Sequence, residues 1–213
     1  MFITLEGIEG AGKTTQVAGM VEFLTEKGHD CLITREPGGT EIGKRIRSIL
    51  LDPKNIDLDP FAELLLYNAD RAQHIKTLIE PALKAGKTVI CDRYFDATVV
   101  YQGYARGLDI EKIYRLHKLI CNNLMPDITF LLDLPVKTGI KRAWQQIDNG
   151  ARTKLETRFE EEELNFHEKV RAGYLALAKK ESKRFIIIDA TLDKAKVAEK
   201  ILKRLANHRF LDN

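Results

Sequence analysis

A glycine-rich loop between a strand pattern and a helix pattern is the feature that most constrains this chain. The loop runs Gly7-Ile8-Glu9-Gly10-Ala11-Gly12-Lys13-Thr14 and fits the pattern G-x-x-x-x-G-K-[ST]. An apolar stretch over residues 2–6 precedes it, and apolar residues at helical spacing follow it from Val17 to Leu24. This order of strand, loop and helix is the context that a phosphate-binding loop requires. The sequence therefore predicts a binding site for a nucleoside triphosphate.

The individual residues of the loop suit a triphosphate bound with Mg²⁺. Its glycines let main-chain N–H groups curl around phosphate oxygens, and the following helix adds the positive end of its dipole. Lys13 can bridge the β- and γ-phosphates, and the hydroxyl of Thr14 can ligate Mg²⁺. Asp92, at the end of a later apolar stretch, is a second candidate magnesium ligand. The residues predicted to contact ATP are Gly7, Ile8, Glu9, Gly10, Ala11, Gly12, Lys13, Thr14 and Thr15.

Glu9 is an unusual residue for such a loop, because phosphate oxygens would repel a carboxylate that faced them. We expect its side chain to point away from ATP, toward the hydroxyl of a phosphoryl acceptor or toward a neighbouring arginine. The alternative is a loop acid that faces solvent.

Five short apolar runs separated by helical patterns predict an α/β fold with a parallel sheet. A helix is expected to begin at Asp59-Pro60, and Pro81 should kink or end a helical pattern unless packing absorbs it. No repeat or linker interrupts the alternation, so we expect one domain over residues 1–213 with ligands at the carboxyl ends of the strands. The predicted strands are Phe2–Glu6, Cys31–Arg35, Thr88–Asp92, Ile128–Asp133 and Phe185–Asp189.

Composition excludes several other classes of protein. The 213 residues are 44% hydrophobic and 31% charged, which is unlike a disordered chain, and no apolar run approaches the roughly 18 residues that span a bilayer. The first ten residues do not resemble a signal peptide. The three cysteines show no metal-binding spacing, so we expect buried, reduced thiols in a cytoplasmic protein. A net charge of +3 does not require a nucleic-acid partner.

Arginines recur where the loops at the strand ends should converge, which favours a substrate that carries a second phosphate group. The N-K-x-D element of regulatory GTPases is absent, and the third apolar run ends in Asp92-Arg93 rather than in the Asp-Glu of motor ATPases. For any one of these arginines the alternative is a solvated surface charge. The arginines concerned are Arg35, Arg47, Arg71, Arg93, Arg152 and Arg158.

Taken together, these motifs resemble the bacterial thymidylate kinase family. The matching segments are GIEGAGKTT, REPGGT at 35–40, DRYFDATVVYQGYARG at 92–107 and RFEEEELNFHEKVRAGY at 158–174. The resemblance implies a three-layer P-loop kinase fold, in which helices flank a five-stranded parallel sheet and a mobile lid covers the site. It implies transfer of a phosphoryl group from ATP to dTMP with Mg²⁺, a homodimer, and neither nucleic acid nor membrane as a partner.

The same resemblance implies roles for residues around the acceptor. Glu9 would touch the 3′-hydroxyl of the deoxyribose, and Tyr101 would face the sugar. The monophosphate would be contacted by Arg35 and Arg93, with Arg47 as a further contact. Thymine would be stacked on Tyr67 and contacted by Arg71, Thr98 and Gln102. The chain departs from the family where Tyr67 replaces phenylalanine and Ala97 replaces serine, which leaves stacking intact but alters fine contacts to the base.

Residues 147–164 form a polar, charged segment that we expect to act as the lid. Members of the family that this chain resembles carry a catalytic arginine in the phosphate loop or in the lid, and the loop here holds none. The resemblance therefore implies that Arg152 or Arg158 reaches the transferring group beside Lys13 and Arg93 as catalytic residues. Closure would also exclude water. The alternative is a solvated surface loop.

Two other functions remain open from the sequence. One is a kinase for another pyrimidine nucleotide or for a nucleoside. The other, from a different class, is an ATP-dependent nucleic-acid-binding protein, which should bind DNA in a salt-sensitive way.

Overall fold

A computed structural model describes residues 1–151 and 153–207, and its centre is a parallel β-sheet. The five strands in this part of the chain are ordered β2-β3-β1-β4-β5, and every neighbouring pair is parallel. This confirms the predicted sheet. The strand bounds agree with the prediction residue by residue: β1 Phe2–Glu6, β2 Cys31–Arg35, β3 Thr88–Asp92, β4 Ile128–Asp133 and β5 Phe185–Asp189.

The strand register aligns the carboxyl ends of the three strands that carry candidate site residues. Leu5 of β1 and Arg35 of β2 both pair with Asp92 of β3. The chain leaves β1 through the phosphate loop, which places that loop beside the end of β3. In open α/β sheets such a point, where strand order reverses, is the usual place for a ligand.

Burial separates the central strands from the edge strands. The side chains of β1, β3 and β4 are almost all buried, whereas Ile33 of β2 is 54% exposed and Ile187 of β5 is 51% exposed. Each edge strand has one side without a partner strand in the described sheet, and burial on both faces is confined to the centre of the sheet. The same reason leaves Cys31 half-buried, while Cys91 and Cys121 are buried and all three thiols are free.

Helices flank the sheet, as predicted. The N-terminal helix packs against the C-terminal helix and against β2 and β3, and the helix after the lid packs against β4 and β5. The helices are α1 Lys13–Glu26, α2 Glu41–Leu51, α3 Pro60–His74, α4 Glu80–Lys84, α5 Phe95–Thr98, α6 Ile110–Cys121, α7 Val136–Asp148, α8 Leu164–Lys180 and α9 Lys194–Ala206.

Pro81 is accommodated without ending its helix. The side chain of Asp59 caps α3, as predicted, and a π-helical segment over Ile75–Ile79 joins α3 to α4. The N–H of Glu80 donates to the carbonyl of Ile75, five residues earlier. This wider turn places Pro81 at the start of α4, where its missing N–H costs little. A second π-helical segment, Val99–Ala105, follows α5 and carries Tyr101 and Gln102.

Among the helices in residues 1–151 and 153–207, none is both long enough and apolar enough to span a membrane.

Candidate active site

A cavity of about 560 Å³ opens at the carboxyl ends of the strands. The phosphate loop and the start of α1 form one wall, the ends of β2 and β3 form a second, and part of the lid forms a third. Gly10 lies in left-handed backbone with φ of 69°, and a Cβ there would be 2.1 Å from the carbonyl oxygen of Gly139. Only glycine fits at this close approach of the loop to α7.

Lys13 lies on the floor of this cavity. Its Nζ donates to the carbonyls of Gly7 at 3.0 Å and of Ile8 at 2.9 Å, which holds the ammonium against the loop. Burial, together with the nearby Arg93 guanidinium, lowers the pKa of Lys13 to about 8. A bound polyphosphate would add negative charge beside this buried ammonium.

Thr14 and Asp92 meet at the edge of the same cavity. The hydroxyl of Thr14 donates to a carboxylate oxygen of Asp92 at 2.9 Å. No group of three or more His, Cys, Asp or Glu suited to a metal ion occurs among the described residues. Mg²⁺ usually takes only one or two protein oxygens and completes its shell with phosphate and water. The hydroxyl and carboxylate present here fit that ion.

The carboxylate of Glu9 contacts an arginine, one of the two kinds of partner expected for it. Its Oε1 accepts from Nη2 of Arg93 at 2.9 Å and from the hydroxyl of Tyr101 at 2.5 Å. Its Oε2 lies 3.4 Å from Nδ1 of His167 on α8. Burial alone would raise the pKa of Glu9, but Arg93 and His167 outweigh burial and lower it. Glu9 is therefore a buried carboxylate, held ionised by the groups around it.

A second cavity adjoins the first and holds most of the residues predicted to bind the acceptor. Tyr67 of α3, Ala97 of α5 and the residues named below line it together. Burial raises the pKa of the Tyr67 hydroxyl, so Tyr67 gives the cavity an uncharged wall. The other predicted acceptor residues that line this cavity are Glu9, Arg47, Arg71, Arg93, Thr98, Tyr101 and Gln102.

Arg71 reaches this second cavity from a buried position. Its Nε donates to Glu36 at 2.8 Å and its Nη2 to the hydroxyl of Thr98 at 2.7 Å. Its Nη1 is buried and has no hydrogen-bond partner within the described part of the chain. An unsatisfied guanidinium N–H is costly unless a ligand accepts from it. Gln102 is fixed differently, because its Nε2 donates to Glu63 at 2.7 Å.

Arg35 and Arg47 lie at the entrance, and both line the larger cavity. The guanidinium of Arg47 donates through Nε and Nη2 to Glu156 in the lid, at 3.0 and 2.7 Å, and through Nη1 to the carbonyl of Pro37. The predicted contact of Arg47 with substrate therefore competes with a carboxylate of the same chain.

The lid carries a short 3₁₀-helix, Lys154–Glu156, followed by a segment whose residues Thr157–Glu160 are buried. The lid is therefore not wholly the solvated loop of the alternative interpretation. Within it, Arg158 is buried, pairs with Glu63 and donates through Nε to the carbonyl of Leu50 at 2.6 Å. The structure does not bring Arg158 to the phosphate loop.

Arg152, the other lid arginine predicted to be catalytic, lies outside the described residues. Its neighbours in sequence, Ala151 and Thr153, both line the larger cavity.

Sequence reasoning missed the acids that balance the site arginines, and it missed His167. Glu36 follows Arg35 directly in REPGGT, so an acid next to a site arginine is visible in the sequence. Glu63 is one polar residue on a helix, and Glu156 is one acid among several in the lid. Their pairing with arginines about 95 and 109 positions away becomes visible only in three dimensions.

Comparisons with known proteins agree with one another. A family model described as thymidylate kinase matches residues 5–201. The thymidylate kinase of Desulfosudis oleivorans is 57% identical over 205 residues, which are 96% of each chain. That of Desulforapulum autotrophicum is 51% identical over 212 residues, 100% of this chain and 93% of the relative. The crystal structure of thymidylate kinase from Ehrlichia chaffeensis matches 96% of this chain and 98% of its own with a TM-score of 0.75 and 35% identity.

Proposed function

This chain belongs to the thymidylate kinase family, and on that premise we propose that it transfers the γ-phosphoryl group of ATP to dTMP, giving ADP and dTDP. The observation that carries the proposal is the pair of adjoining cavities. One is lined by the phosphate loop and the other by Tyr67 and Gln102, and Glu9 and Arg93 line both. Two nucleotides bound in this way would meet with their phosphates at Arg93.

On the donor side, the phosphate loop would bind the triphosphate of ATP. Lys13 would move from the carbonyls of the loop onto the β- and γ-phosphates, since phosphate oxygens are stronger partners for an ammonium than neutral carbonyls. Thr14 and Asp92 would hold Mg²⁺. When bound, that ion would neutralise charge on the phosphate oxygens during transfer.

On the acceptor side, Arg93 would bind the monophosphate. Arg35 and Arg47, at the entrance of the larger cavity, would be further phosphate contacts. Nη1 of Arg71 would donate to a thymine carbonyl, which would satisfy its unpaired N–H. Tyr67 would stack on the base, and Thr98 and Gln102 would lie at its edge.

The sugar of the acceptor would lie against Glu9 and Tyr101. The hydroxyl of Tyr101 is already hydrogen-bonded to Glu9, so the two form one preorganised wall. A ribose would add a 2′-hydroxyl against this wall, which favours the deoxyribose.

A lid arginine would stabilise the transferring group, which needs positioning and charge neutralisation more than covalent chemistry. Arg158 and Arg152 were both predicted for this role. The buried pairing of Arg158 with Glu63 favours Arg152, since residues on both sides of Arg152 line the cavity that holds Lys13.

We further propose that the chain forms a single domain over residues 1–213 and assembles as a homodimer. Apolar side chains are about half exposed on two helices that pack together: Ile42 and Ile49 on α2, Phe61 and Leu65 on α3. A second copy would cover this surface. Sedimentation analysis of an Ile49→Glu, Leu65→Glu double variant should show a monomer where the unchanged chain is a dimer. We also propose a cytoplasmic location, where the free thiols stay reduced.

A coupled ADP-release assay tests the proposed function. We expect turnover with ATP, Mg²⁺ and dTMP, less with dUMP and dCMP, and none with thymidine, because thymidine lacks the phosphate that the arginines would hold. Equal turnover with dCMP or with thymidine would support a different nucleotide or nucleoside kinase. Salt-sensitive binding of DNA without turnover of dTMP would support the nucleic-acid-binding alternative.

A further inference from the structure

Glu6 is a buried acid that none of the proposed substrate contacts uses. It ends β1, directly before the phosphate loop, and none of its surface is exposed. Its Oε1 accepts from the main-chain N–H of Tyr94 at 2.8 Å, and its Oε2 accepts from the hydroxyl of Tyr174 on α8 at 2.7 Å. A buried carboxyl group is costly unless it is hydrogen-bonded, and here both oxygens have partners.

The residue next to Tyr94 is Arg93, whose backbone is strained. Its φ of 63° lies in the left-handed region. A residue other than glycine adopts this backbone conformation only when the surrounding structure enforces it. The N–H of Arg93 donates to the carbonyl of Leu5 at 3.0 Å. Two consecutive amides, those of Arg93 and Tyr94, are therefore fastened to the last two residues of β1.

This backbone sets the direction of the Arg93 side chain. Its Nη2 lies 2.9 Å from Glu9 and 3.1 Å from the hydroxyl of Tyr101, with the carbonyl of Gly7 at 3.2 Å. A guanidinium moved by about 1 Å would lose this alignment, and misplacement on that scale can cost about a hundredfold in rate.

We propose that Glu6 is a positioning residue that holds Arg93 in its strained backbone conformation and so aims the guanidinium at the acceptor phosphate. The proposal rests on the role proposed above for Arg93 in binding dTMP. Glu6 itself touches no substrate, and it acts through the amide of Tyr94.

Three substitutions of Glu6 separate this role from a purely structural one. Glu6→Gln keeps an oxygen that accepts from Tyr94, whereas Glu6→Met keeps the volume and removes the acceptor. Glu6→Asp keeps the carboxyl group but is one methylene too short to reach Tyr94 from the same backbone. Tyr174→Phe is the matched control, since it removes the other partner of Glu6 and leaves the contact to Tyr94.

The steady-state constants of each variant, corrected for folded fraction, test the proposal. Glu6→Gln and Tyr174→Phe should keep kcat/KM for dTMP within about threefold of the unchanged enzyme, while Glu6→Met should lose about thirtyfold or more. The KM for ATP should stay within about threefold in all four, because the phosphate loop is not altered. If Glu6→Met does not fold, Glu6→Asp should show the same loss of kcat/KM for dTMP, while Glu6→Gln keeps the value of the unchanged enzyme within about threefold.

A double-variant cycle with Arg93→Ala completes the test. Once Arg93 is removed, Glu6→Met should cost no more than about threefold further, because its effect passes through Arg93. Equal losses from Glu6→Met with and without Arg93 would overturn the proposal, and so would unchanged dTMP kinetics in both Glu6→Met and Glu6→Asp. Failure of the unchanged enzyme to phosphorylate dTMP would instead count against the proposed function.

Discussion

Arg47 of α2 holds Glu156 of the lid through two hydrogen bonds, from Nε at 3.0 Å and from Nη2 at 2.7 Å. The side chains are 15% and 26% exposed, so water screens the pair only partly. A bidentate pair of this kind fixes geometry as well as adding energy. It fastens the 3₁₀-helix of the lid to α2 at the entrance of the larger cavity.

Weakening this pair should loosen the lid. We expect Glu156→Gln to speed tryptic cleavage after Lys154 about fivefold, since an amide cannot form the charged bidentate contact and local opening becomes easier. The rate is followed by mass spectrometry of the released peptides. Glu111→Gln, which disrupts an exposed pair on α6, is the control and should leave this cleavage unchanged. An unchanged rate in Glu156→Gln would show that Arg47 does not hold the lid.

Lys13 supplies the second prediction. Lys13→Ala should lower turnover of ATP and dTMP by about a thousandfold or more, since the positive charge on the transferring phosphates is lost. The affinity for dTMP, measured by calorimetry, should change little because Lys13 does not line the acceptor cavity. Lys27→Ala, on the surface after α1, is the control. If Lys13→Ala turned over ATP and dTMP at nearly the rate of the unchanged enzyme, Lys13 would have no role in phosphoryl transfer.

The contact between Thr14 and Asp92 leads to a prediction about magnesium. Thr14→Val keeps the shape of the side chain without its hydroxyl and should raise the Mg²⁺ concentration for half-maximal turnover about tenfold, while Thr14→Ser should restore it. Asp92→Asn should act in the same direction. A titration of turnover with Mg²⁺ at fixed ATP measures both, and an unchanged half-maximal concentration in Thr14→Val would argue against Thr14 as a ligand.

The sequence determined the sheet and the phosphate loop because both are encoded locally. Five apolar runs gave all the strand bounds, and the loop pattern placed Lys13 and Thr14 at the cavity. The orientation of Glu9 followed from charge repulsion alone, and the structure places it against Arg93. Local rules of this kind need no knowledge of distant residues.

Long-range pairing is what the sequence could not give. Arg158 is one of two lid arginines that the sequence offers for the transferring group. In the structure it pairs with Glu63 on α3, and no local pattern distinguishes that acid from others. Pro81 was expected to interrupt its helix unless packing accommodated it. The π-helical turn that places it at the start of α4 has no sequence signature. The partners of Glu6 lie 88 and 168 positions away.

Glu6 also predicts how stability depends on pH. Burial, with Asp96 adding to the effect, raises the pKa of Glu6 from 4.5 to about 8. Between these values the folded protein keeps a proton that the unfolded chain has released, so the contribution of Glu6 to stability is fully present below about pH 4.5 and is lost as pH rises to 8. Glu6→Gln does not titrate. Its free energy of unfolding, relative to that of the unchanged protein, should therefore increase from pH 5 to pH 8.

The size of this change should be roughly 2–4 kcal/mol, because one pKa unit corresponds to about 1.4 kcal/mol. Urea denaturation at pH 5, 6.5 and 8 measures it. Lys183→Gln, at the surface before β5, is a control for a general change of charge and should show no such trend. Parallel pH profiles for Glu6→Gln and the unchanged protein would mean that Glu6 is ionised in the folded state at neutral pH.

The two lid arginines give opposite expectations. Arg158→Ala removes the nearer of two arginine partners of Glu63, whose side chain has no exposed surface, and leaves it with Arg106 at 3.4 Å and with the amide of Gln102. Losing one partner of a buried polar group costs about 1–3 kcal/mol. We therefore expect Arg158→Ala to lower the free energy of unfolding, and a second change, Glu63→Gln, to recover much of the loss.

Arg152→Ala should leave the free energy of unfolding unchanged. It should lower kcat about a hundredfold or more and leave the KM for ATP nearly intact, because an arginine supplied to the transition state acts on rate. Rapid-quench measurement of the phosphoryl-transfer step, together with urea denaturation of all three variants, compares the two roles. A fall in the transfer rate confined to folded Arg158→Ala, with Arg152→Ala unaffected, would mean that Arg158 leaves Glu63 when the lid closes on both nucleotides.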